Sequence, residues 1–271
     1  MNDFHLKYGE WALVAGAAEG IGAGFTEALA IRKMNVVMVD NNATALVEWS
    51  EKVERTHGVK TIRVLQDLSA KDAWAKCLQT IENLDCRLLI YVAAYSRVRL
   101  FLDHDQKDLD RFLDTNSRTP IHLVSAFADR LKKSSQRGGI LLVSSLAGLI
   151  GPRYVAPYAA TKAFNIILAE ALYHEFKPHS IDIMVCCAGT TSTPMFWSTN
   201  PRFGSKKTDV MDPMDVVNYG LKKLGKKAIC IPGWKNRLSY FILTRLMPRR
   251  LAARMVGSYM EKIYPQENQG S

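Results

Sequence analysis

The sequence predicts an α/β fold, with one doubly wound parallel sheet of about seven strands, helices on both faces and a C-terminal basic-amphipathic helical extension. Three observations lead to this prediction. Short β-rich apolar runs alternate with helix-length amphipathic stretches. The apolar runs are continuous, which is typical of parallel strands buried on both faces. No repeat, low-complexity tract or Pro/Gly/Ser-rich linker interrupts this order, so we expect a single domain over residues 1–271.

The expected elements follow one another along the whole chain. The apolar runs that we expect to form strands are Trp11–Ala15, Val36–Asp40, Thr61–Gln66, Leu88–Val92, Ile140–Ser144, Ile181–Cys187 and Ala228–Ile231. The stretches long enough for helices are Gly22–Lys33, Ala43–Thr56, Lys71–Asn83, Asp108–Lys133 and Tyr158–Phe176. Residues from about 232 to 271 form the predicted extension, in which Pro248 should separate two short helices because proline cannot continue a helix.

Composition excludes several classes of protein. With 48% hydrophobic and 23% charged residues, the chain resembles an ordinary globular protein rather than a disordered, collagenous or coiled-coil one. No stretch approaches the ~18–20 apolar residues that a spanning helix needs. Residues 1–9 lack a basic segment followed by an apolar run, so no secretory signal is expected. The five cysteines form no zinc-like pairs, and Cys186 and Cys187 lie in an apolar run. We therefore expect buried reduced thiols, a cytoplasmic location and no metal.

The basic charge is concentrated near the C-terminus. Of 36 Lys and Arg residues, ten lie between Val216 and Met260, where there is no Asp or Glu. The rest of the chain has 26 basic and 26 acidic residues and is formally neutral. A nucleic-acid binder would be basic in its main body, so no nucleic-acid partner is expected.

A glycine-rich turn follows the first expected strand. Its residues are Gly16, Ala17, Ala18, Glu19, Gly20, Ile21 and Gly22, and a helix is expected next. Glycines let the backbone approach a pyrophosphate closely, and a helix N-terminus supplies amide donors. A tight turn could use the same residues, but the strand before and the helix after are the context that the motif requires. The sequence therefore predicts dinucleotide binding.

Asp40 ends the second expected strand, 18 residues after Gly22. A carboxylate there can accept both ribose hydroxyls of NAD and would repel a 2′-phosphate. Glu19 adds a second negative group, while Asn41 and Asn42 stand where an NADP enzyme would want an arginine. The pattern favours NAD over NADP, although Asp40 also suits a helix N-cap or a turn.

A tyrosine and a lysine are spaced for joint proton chemistry. Tyr158 and Lys162 are four residues apart and would share one face of a helix. A nearby ammonium favours the phenolate and lowers the pKa of a tyrosine toward the working pH. Such a pair usually lies on the protein surface without a function. Here Ser145 ends a strand 13 residues before Tyr158, and Asn116 lies within a helical stretch where an amide is slightly unfavourable. These two residues favour a functional role for the pair.

With these motifs the chain resembles the short-chain dehydrogenase/reductase family over nearly its whole length. The resemblance rests on Gly16, Gly20, Gly22, Asp67, Leu68, Asn116, Ser145, Tyr158, Lys162, Gly189 and Thr193, in order and spacing. It implies a Rossmann-like fold, a homodimer or homotetramer, and the catalytic residues Asn116, Ser145, Tyr158 and Lys162. The cofactor-binding residues that we expect are Gly16, Ala18, Glu19, Gly20, Ile21, Gly22, Asp40, Asp67, Leu68, Ala93, Ala94, Tyr158, Lys162, Gly189, Thr191 and Thr193.

The resemblance also implies a role for each polar residue. Tyr158 would exchange the substrate's hydroxyl proton, and Ser145 would orient the reacting oxygen. Lys162 would lower the pKa of Tyr158 and bind the nicotinamide ribose, and Asn116 would hold a water that links Lys162 to solvent. Asp67 would contact adenine and Thr193 the carboxamide.

Two segments depart from the family pattern. The usual Asn-Asn-Ala-Gly after the fourth strand is replaced by the residues 91–94, Tyr-Val-Ala-Ala, and the usual Pro-Gly after the sixth strand is Ala188-Gly189. Both segments support the cofactor, so we expect altered affinity or rigidity more than inactivity. An alternative is therefore that the protein has lost catalysis and serves as a nucleotide-binding or membrane-surface scaffold.

The resemblance places a substrate loop at about residues 190–212. Met195, Phe196 and Trp197 would give it an apolar inner surface suited to a steroid, fatty acyl chain or aromatic ketone, although they could equally anchor the loop. Because Arg153 is near in the sequence, a sugar or an acid remains an alternative substrate. We expect NAD(H)-dependent interconversion of a secondary alcohol and a ketone on a lipophilic small molecule.

Three roles are open for the C-terminal extension. It could be a subunit interface or cover the pocket, it could make peripheral contact with an anionic membrane through residues 232–260, or it could bind the phosphates of an acyl-CoA or another anionic substrate. The extension resembles that of family members that act on 3-oxoacyl and steroid substrates, which mildly favours lipid chemistry.

Overall fold

A seven-stranded, all-parallel sheet forms the centre of the computed structural model, which describes residues 4–203 and 210–265. The strands lie in the order β3-β2-β1-β4-β5-β6-β7. Their bounds are β1 Trp11–Ala15, β2 Asn35–Asp40, β3 Thr61–Leu65, β4 Cys86–Tyr91, β5 Gly138–Ser145, β6 Ile181–Ala188 and β7 Ile229–Cys230. The α/β class and all seven expected strands are confirmed.

Helices precede, connect and follow these strands along the described residues. They are α1 Phe4–Tyr8, α2 Gly20–Ile31, α3 Ala43–His57, α4 Ala73–Thr80, α5 Gln106–Leu113, α6 Thr119–Ser134, α7 Ala156–Glu175, α8 Pro194–Trp197, α9 Pro213–Lys223, α10 Trp234–Phe241 and α11 Arg249–Ile263. Pro248 separates α10 from α11, as expected. None of the described helices is long and apolar enough to cross a bilayer.

Both faces of the central strands are buried because those strands are largely apolar, whereas the edge strand β3 is only partly buried. Leu13, Val37 and Val39 point into a core shared with α4, α6 and α7. Their neighbours Val36 and Met38 point into a second core shared with α2, α3 and α9. The five cysteines are all buried and free.

The chain changes direction across the sheet between β3 and β4. After β3, at one edge, it crosses to β4 on the other side of β1. In open α/β sheets the crevice at such a switch point, outside the carboxyl ends of the strands, is the usual ligand site.

The long helix expected over Asp108–Lys133 is divided by a π-helical turn. The turn covers Asp114–Arg118 and joins α5 to α6. Pro120, just after it, has no N–H to donate to the carbonyl four residues earlier, that of Asn116. The π turn accommodates this interruption of the α-helical ladder.

Candidate active site

A cavity of about 450 Å³ opens at the carboxyl ends of β1, β4, β5 and β6. The sequence-predicted residues that line it are Gly16, Glu19, Gly20, Ile21, Asp40, Asp67, Leu68, Ala93, Ala94, Ser145, Tyr158, Lys162, Gly189, Thr191 and Thr193. The fold therefore brings most of the predicted cofactor and catalytic residues to one cavity. The remaining three, Ala18, Gly22 and Asn116, lie behind this wall and support it.

The turn after β1 can be built only with glycine at two positions. Gly16 has φ of 82°, and a Cβ there would lie 2.7 Å from the backbone nitrogen of Ala93. A Cβ on Gly22 would lie 1.6 Å from the carbonyl oxygen of Gly16. The turn therefore stays tight, and the N-terminus of α2 faces the cavity at Gly20 and Ile21.

Asp40 holds this turn while it lines the cavity. Its Oδ2 accepts a hydrogen bond from the backbone N–H of Ala18 at 2.9 Å, and its Oδ1 accepts one from that of Asn42 at 3.1 Å. The N-cap of α3 is Asn42, whose side chain also donates to Glu19 at 3.2 Å. Asp40 is thus a turn residue as well as a candidate ribose ligand, and its carboxylate remains at the cavity surface.

Asp67 has a basic neighbour that sequence reasoning missed. Its Oδ1 accepts hydrogen bonds from the backbone and the hydroxyl of Ser69, and Arg111 lies 3.5 Å from its Oδ2. Burial opposes the charged form, but Ser69 and Arg111 together hold the pKa of Asp67 below its usual value. Arg111 comes from α5 and also lines the cavity, so it is a candidate contact for the adenine end of a dinucleotide.

Ser145 and Tyr158 meet at the centre of the cavity. Ser145 ends β5 and accepts a hydrogen bond from the backbone N–H of Ala147 at 3.2 Å. Tyr158 lies in the first turn of α7. Burial raises the pKa of Tyr158 to about 12, and the nearby Ser145 hydroxyl acts in the opposite direction.

Lys162 is buried one helical turn after Tyr158. Its Nζ donates to the carbonyl oxygen of Val143 at 2.9 Å and lies 5.5 Å from the centre of the Tyr158 ring. Burial lowers the pKa of Lys162 to about 8. The resemblance implies that Lys162 lowers the pKa of Tyr158, and burial acts against this effect because the loss of water around the phenol disfavours the phenolate.

Asn116 lies behind the cavity and positions the chain after β4. Its Oδ1 accepts a hydrogen bond from the backbone N–H of Tyr95 at 2.7 Å, and its Nδ2 donates to the Tyr95 carbonyl at 2.9 Å and to Thr161 at 3.1 Å. The amide therefore pairs with Tyr95 as a neighbouring strand would. Tyr95 lines the cavity.

The other end of the cavity has a largely apolar wall. Met195 and Phe196 line it, as expected, but Trp197 does not: its indole N–H donates to Ser192 at 2.9 Å and its ring packs against Phe196 and Phe203. The substrate-loop residues 204–209 lie outside the described part of the chain.

The C-terminal helix forms part of this wall. Tyr259, Met260, Ile263 and Tyr264 line the cavity. The link to the substrate loop is direct, since Thr199 Oγ1 lies 2.8 Å from the Tyr264 hydroxyl and the Arg202 N–H donates to the Ile263 carbonyl at 2.8 Å.

Arg153 contacts the C-terminal helix and does not line the cavity. Its guanidinium forms an ion pair with Glu261 of α11. This ion pair offers no support for an acidic or sugar substrate, the alternative that Arg153 suggests in the sequence. No group of three or more His, Cys, Asp or Glu that could hold a metal occurs within residues 4–203 and 210–265.

Comparisons with known proteins agree with this geometry. A family model described as short chain dehydrogenase matches residues 10–203. A 7β-hydroxysteroid dehydrogenase from Clostridium sardiniense is 33% identical over 236 residues, which cover 87% of this chain and 90% of that protein. A very-long-chain 3-oxoacyl-CoA reductase from Meyerozyma guilliermondii is 26% identical over 255 residues, covering 88% of this chain and 73% of that protein.

A solved structure described in terms of 7β-hydroxysteroid dehydrogenase stereoselectivity is also similar to this chain. It superimposes with a TM-score of 0.86 at 27% identity, and the match covers 94% of this chain and 99% of that one. The match therefore includes the region of the C-terminal helices as well as the sheet.

Proposed function

Because this chain belongs to the short-chain dehydrogenase family, we propose that it is an NAD(H)-dependent oxidoreductase that interconverts a secondary alcohol and a ketone on a lipophilic small molecule. The observation that carries this proposal is the meeting of Ser145, Tyr158 and Lys162 between a cofactor-shaped half of the cavity and an apolar half. One half has a glycine turn and a carboxylate, and the other has aromatic and aliphatic walls.

The cofactor half fits a dinucleotide. The glycine turn leaves room for a pyrophosphate beside Gly20 and Ile21, and the N-terminus of α2 points its amides there. Asp40 would accept the adenosine ribose hydroxyls, and Asp67 with Leu68 would face the adenine. When bound, the nicotinamide supplies or accepts the hydride.

NAD is favoured because the adenosine end of the cavity is acidic. Asp40 and Glu19 line it, and the residue after Asp40 that also lines it is the neutral Asn41. A 2′-phosphate would meet two carboxylates there. Arg111, a basic side chain at the adenine end, lies beside Asp67, and that carboxylate offsets part of the positive charge that Arg111 would offer to a 2′-phosphate.

The chain's own residues then handle the substrate proton. We assign Ser145 to hold the reacting oxygen and Tyr158 to exchange the hydroxyl proton, since both side chains line the same cavity. Lys162 would bind the nicotinamide ribose and favour the Tyr158 phenolate. Asn116 is a positioning residue, because its side chain holds the backbone of Tyr95 at the cavity wall.

The substrate half favours a largely apolar molecule. Val155, Met195, Phe196 and Ile263 offer apolar surface, while the hydroxyls of Thr199 and Tyr264 lie at the edge. A hydroxysteroid or a related lipid would fill this volume, and the relatives named above act on such molecules by their names. We also propose a reducing, cytoplasmic setting, which suits five buried free thiols, and a homodimeric or homotetrameric assembly.

Cofactor titration followed by a substrate screen tests this function. Fluorescence titration should give tighter binding of NADH than of NADPH. Hydroxysteroids and other lipophilic secondary alcohols should then be oxidised with NAD, and Tyr158→Phe should lower the rate by about 10²–10⁴-fold while NADH binding is kept. A preference for NADPH would overturn the cofactor assignment. Cofactor binding without turnover of any alcohol or ketone would instead support a non-catalytic nucleotide-binding protein.

A further inference from the structure

The C-terminal helices expose a surface that the catalytic proposal does not use. Along α10 the side chains of Trp234, Leu238 and Phe241 are 64%, 51% and 52% exposed, and Leu246 in the following π turn is 68% exposed. The first three are spaced four and three residues apart, so they share one face of the helix. The opposite side of α10 is anchored, because Tyr240 packs against the core and Asn236 donates to the Pro232 carbonyl.

Cations lie among and after these apolar side chains along the chain. Arg245, Arg249, Arg250 and Arg254 are all exposed, and no Asp or Glu occurs anywhere from Val216 to Met260. Within residues 4–203 and 210–265 these four arginines form no ion pairs. Their positive charge is therefore not neutralised by the part of the chain that the structure describes.

We propose that this surface, made of the exposed side chains of α10, the π turn after it and the outer face of α11, docks onto an anionic lipid bilayer. A helix with exposed tryptophan and phenylalanine beside arginines is suited to the boundary between headgroups and acyl chains. Tryptophan is enriched at that depth because one part of its ring is apolar and its N–H is polar. The arginines would contact the lipid phosphates.

The charge pattern favours lipid over a second copy of the same surface. In a two-fold symmetric dimer the same patch meets itself, so the arginine cluster would face an identical cluster with no acidic residue between Val216 and Met260 to separate the two. An anionic membrane supplies the opposite charge over its whole plane.

The docking surface is joined to the cavity through α11. Leu251 and Met255 are about half exposed on its outer face, whereas Met260 and Ile263 on its inner side line the cavity. Docking would therefore place a wall of the cavity beside the lipid. If the proposed function holds, a substrate dissolved in the bilayer would have a short path to Tyr158, but the docking itself does not depend on catalysis.

Co-sedimentation with lipid vesicles tests the docking. The full chain should sediment with phosphatidylcholine vesicles that contain about 30% phosphatidylglycerol, and at least about tenfold less with phosphatidylcholine alone. Salt at about 0.5 M should release most of it, since surface charges are then screened. Failure of the wild-type chain to sediment with the anionic vesicles would overturn the proposal.

Two variants separate the contributions of the surface. Arg249→Glu with Arg250→Glu and Arg254→Glu should weaken binding by about tenfold or more. The matched control, Lys60→Glu with Lys71→Glu and Lys132→Glu, makes the same change of net charge at exposed sites elsewhere and should bind almost as wild type. Equal losses in both would mean that only net charge matters, which contradicts a docking surface.

A third variant tests the apolar contacts, and a hydrodynamic measurement tests the alternative partner. Trp234→Ser with Phe241→Ser should also weaken sedimentation, and unchanged binding would rule out seating of α10 in the bilayer. If sedimentation velocity shows that the arginine variant breaks a wild-type dimer, a second copy occupies the surface and the proposal is wrong. NADH affinity and turnover of soluble substrate, measured on every variant, report separately on fold and catalysis.

Discussion

The side chain of Asn165 donates through Nδ2 to the carbonyl oxygen of Asn116 at 2.8 Å. In an α-helix that carbonyl would accept from the backbone of the residue four positions later, but this residue is Pro120, which has no N–H. Asn165 on α7 thus replaces the missing donor. The bond fixes the π turn at the place where the Asn116 side chain reaches Tyr95.

Removal of this donor should destabilise the fold. Asn165→Ala leaves the buried Asn116 carbonyl unpaired, so we expect the free energy of unfolding to fall by about 1–3 kcal/mol. Chemical denaturation with unchanged m-value would measure it. The cofactor affinity should change little, since Asn165 does not line the cavity.

A second substitution tests the explanation itself. Pro120→Ala restores a backbone N–H that can donate to Asn116, so the double variant should lose less stability than the sum of the two single losses. If the two effects simply add, Asn165 does not compensate for the donor that Pro120 lacks.

Two helical glycines should respond in opposite directions to alanine. A methyl group at Gly22 would lie 1.6 Å from the Gly16 carbonyl oxygen, so Gly22→Ala should displace the turn and abolish NADH binding or folding. Gly257 in α11 has only the Arg153 Cβ at 3.8 Å, an ordinary contact. There Gly257→Ala should stabilise the helix by about 0.5–1 kcal/mol. Thermal melts and NADH titrations of both variants measure this, and a destabilised Gly257→Ala would contradict the packing described for α11.

The parts that could be predicted from the sequence depend on local pattern. The continuous apolar runs determine buried parallel strands, and the strand–glycine–helix order places Gly16–Gly22 at the carboxyl end of β1. Because all strands are parallel, Ser145 at the end of β5 and Asp40 at the end of β2 must emerge on the same edge of the sheet. Their convergence follows from topology alone.

The parts that could not be predicted depend on packing between distant segments. Nothing near Tyr264 in the sequence indicates that it meets Thr199, 65 residues earlier. The sequence leaves open whether Trp197 faces the substrate or anchors the loop, and its hydrogen bond to Ser192 shows the second role. Tyr91, which replaces a family asparagine, donates to the Thr115 carbonyl at 2.6 Å and so supports the π turn, a role that the substitution pattern does not indicate.

The cofactor preference should depend on the charge of Asp40. Asp40→Asn keeps an oxygen that can accept from the Ala18 N–H but removes the charge. NADPH should then bind at least about tenfold more tightly relative to NADH, because one bidentate or charged contact is worth about 1.4 kcal/mol or more. Paired fluorescence titrations with the two cofactors measure the ratio.

Asp40→Ala serves as the comparison for the loop. It removes the charge together with the acceptor of the Ala18 N–H, so both cofactors should bind more weakly than in Asp40→Asn. Equal affinities in the two variants would mean that the hydrogen bond to Ala18 does not hold the glycine turn. An unchanged NADH-to-NADPH ratio in both would show that Asp40 does not select the cofactor.

Lys162 should make stability depend on pH in a window that its pKa defines. Burial lowers the pKa from 10.5 to about 8, so between these values the unfolded chain holds a proton that the folded chain lacks. Lys162 therefore makes the free energy of unfolding increase as pH rises through this window, by at most about 1.4 kcal/mol per pH unit. Below about pH 8 this increase is absent, because both states hold the proton.

Lys162→Met removes this titration. Its stability relative to wild type should be constant near pH 7 and should decline steadily from about pH 8 to about pH 10, as the wild type gains. Denaturant midpoints at several pH values measure the difference, and the measurement stops below pH 10 because Tyr158, with a pKa raised to about 12, contributes the opposite slope above its unfolded value of 10.0. Tyr158→Phe is the control and should keep the Lys162 slope. Parallel curves for wild type and Lys162→Met would mean that the buried amine stays charged across the window, held by its bond to the Val143 carbonyl more strongly than burial disfavours it.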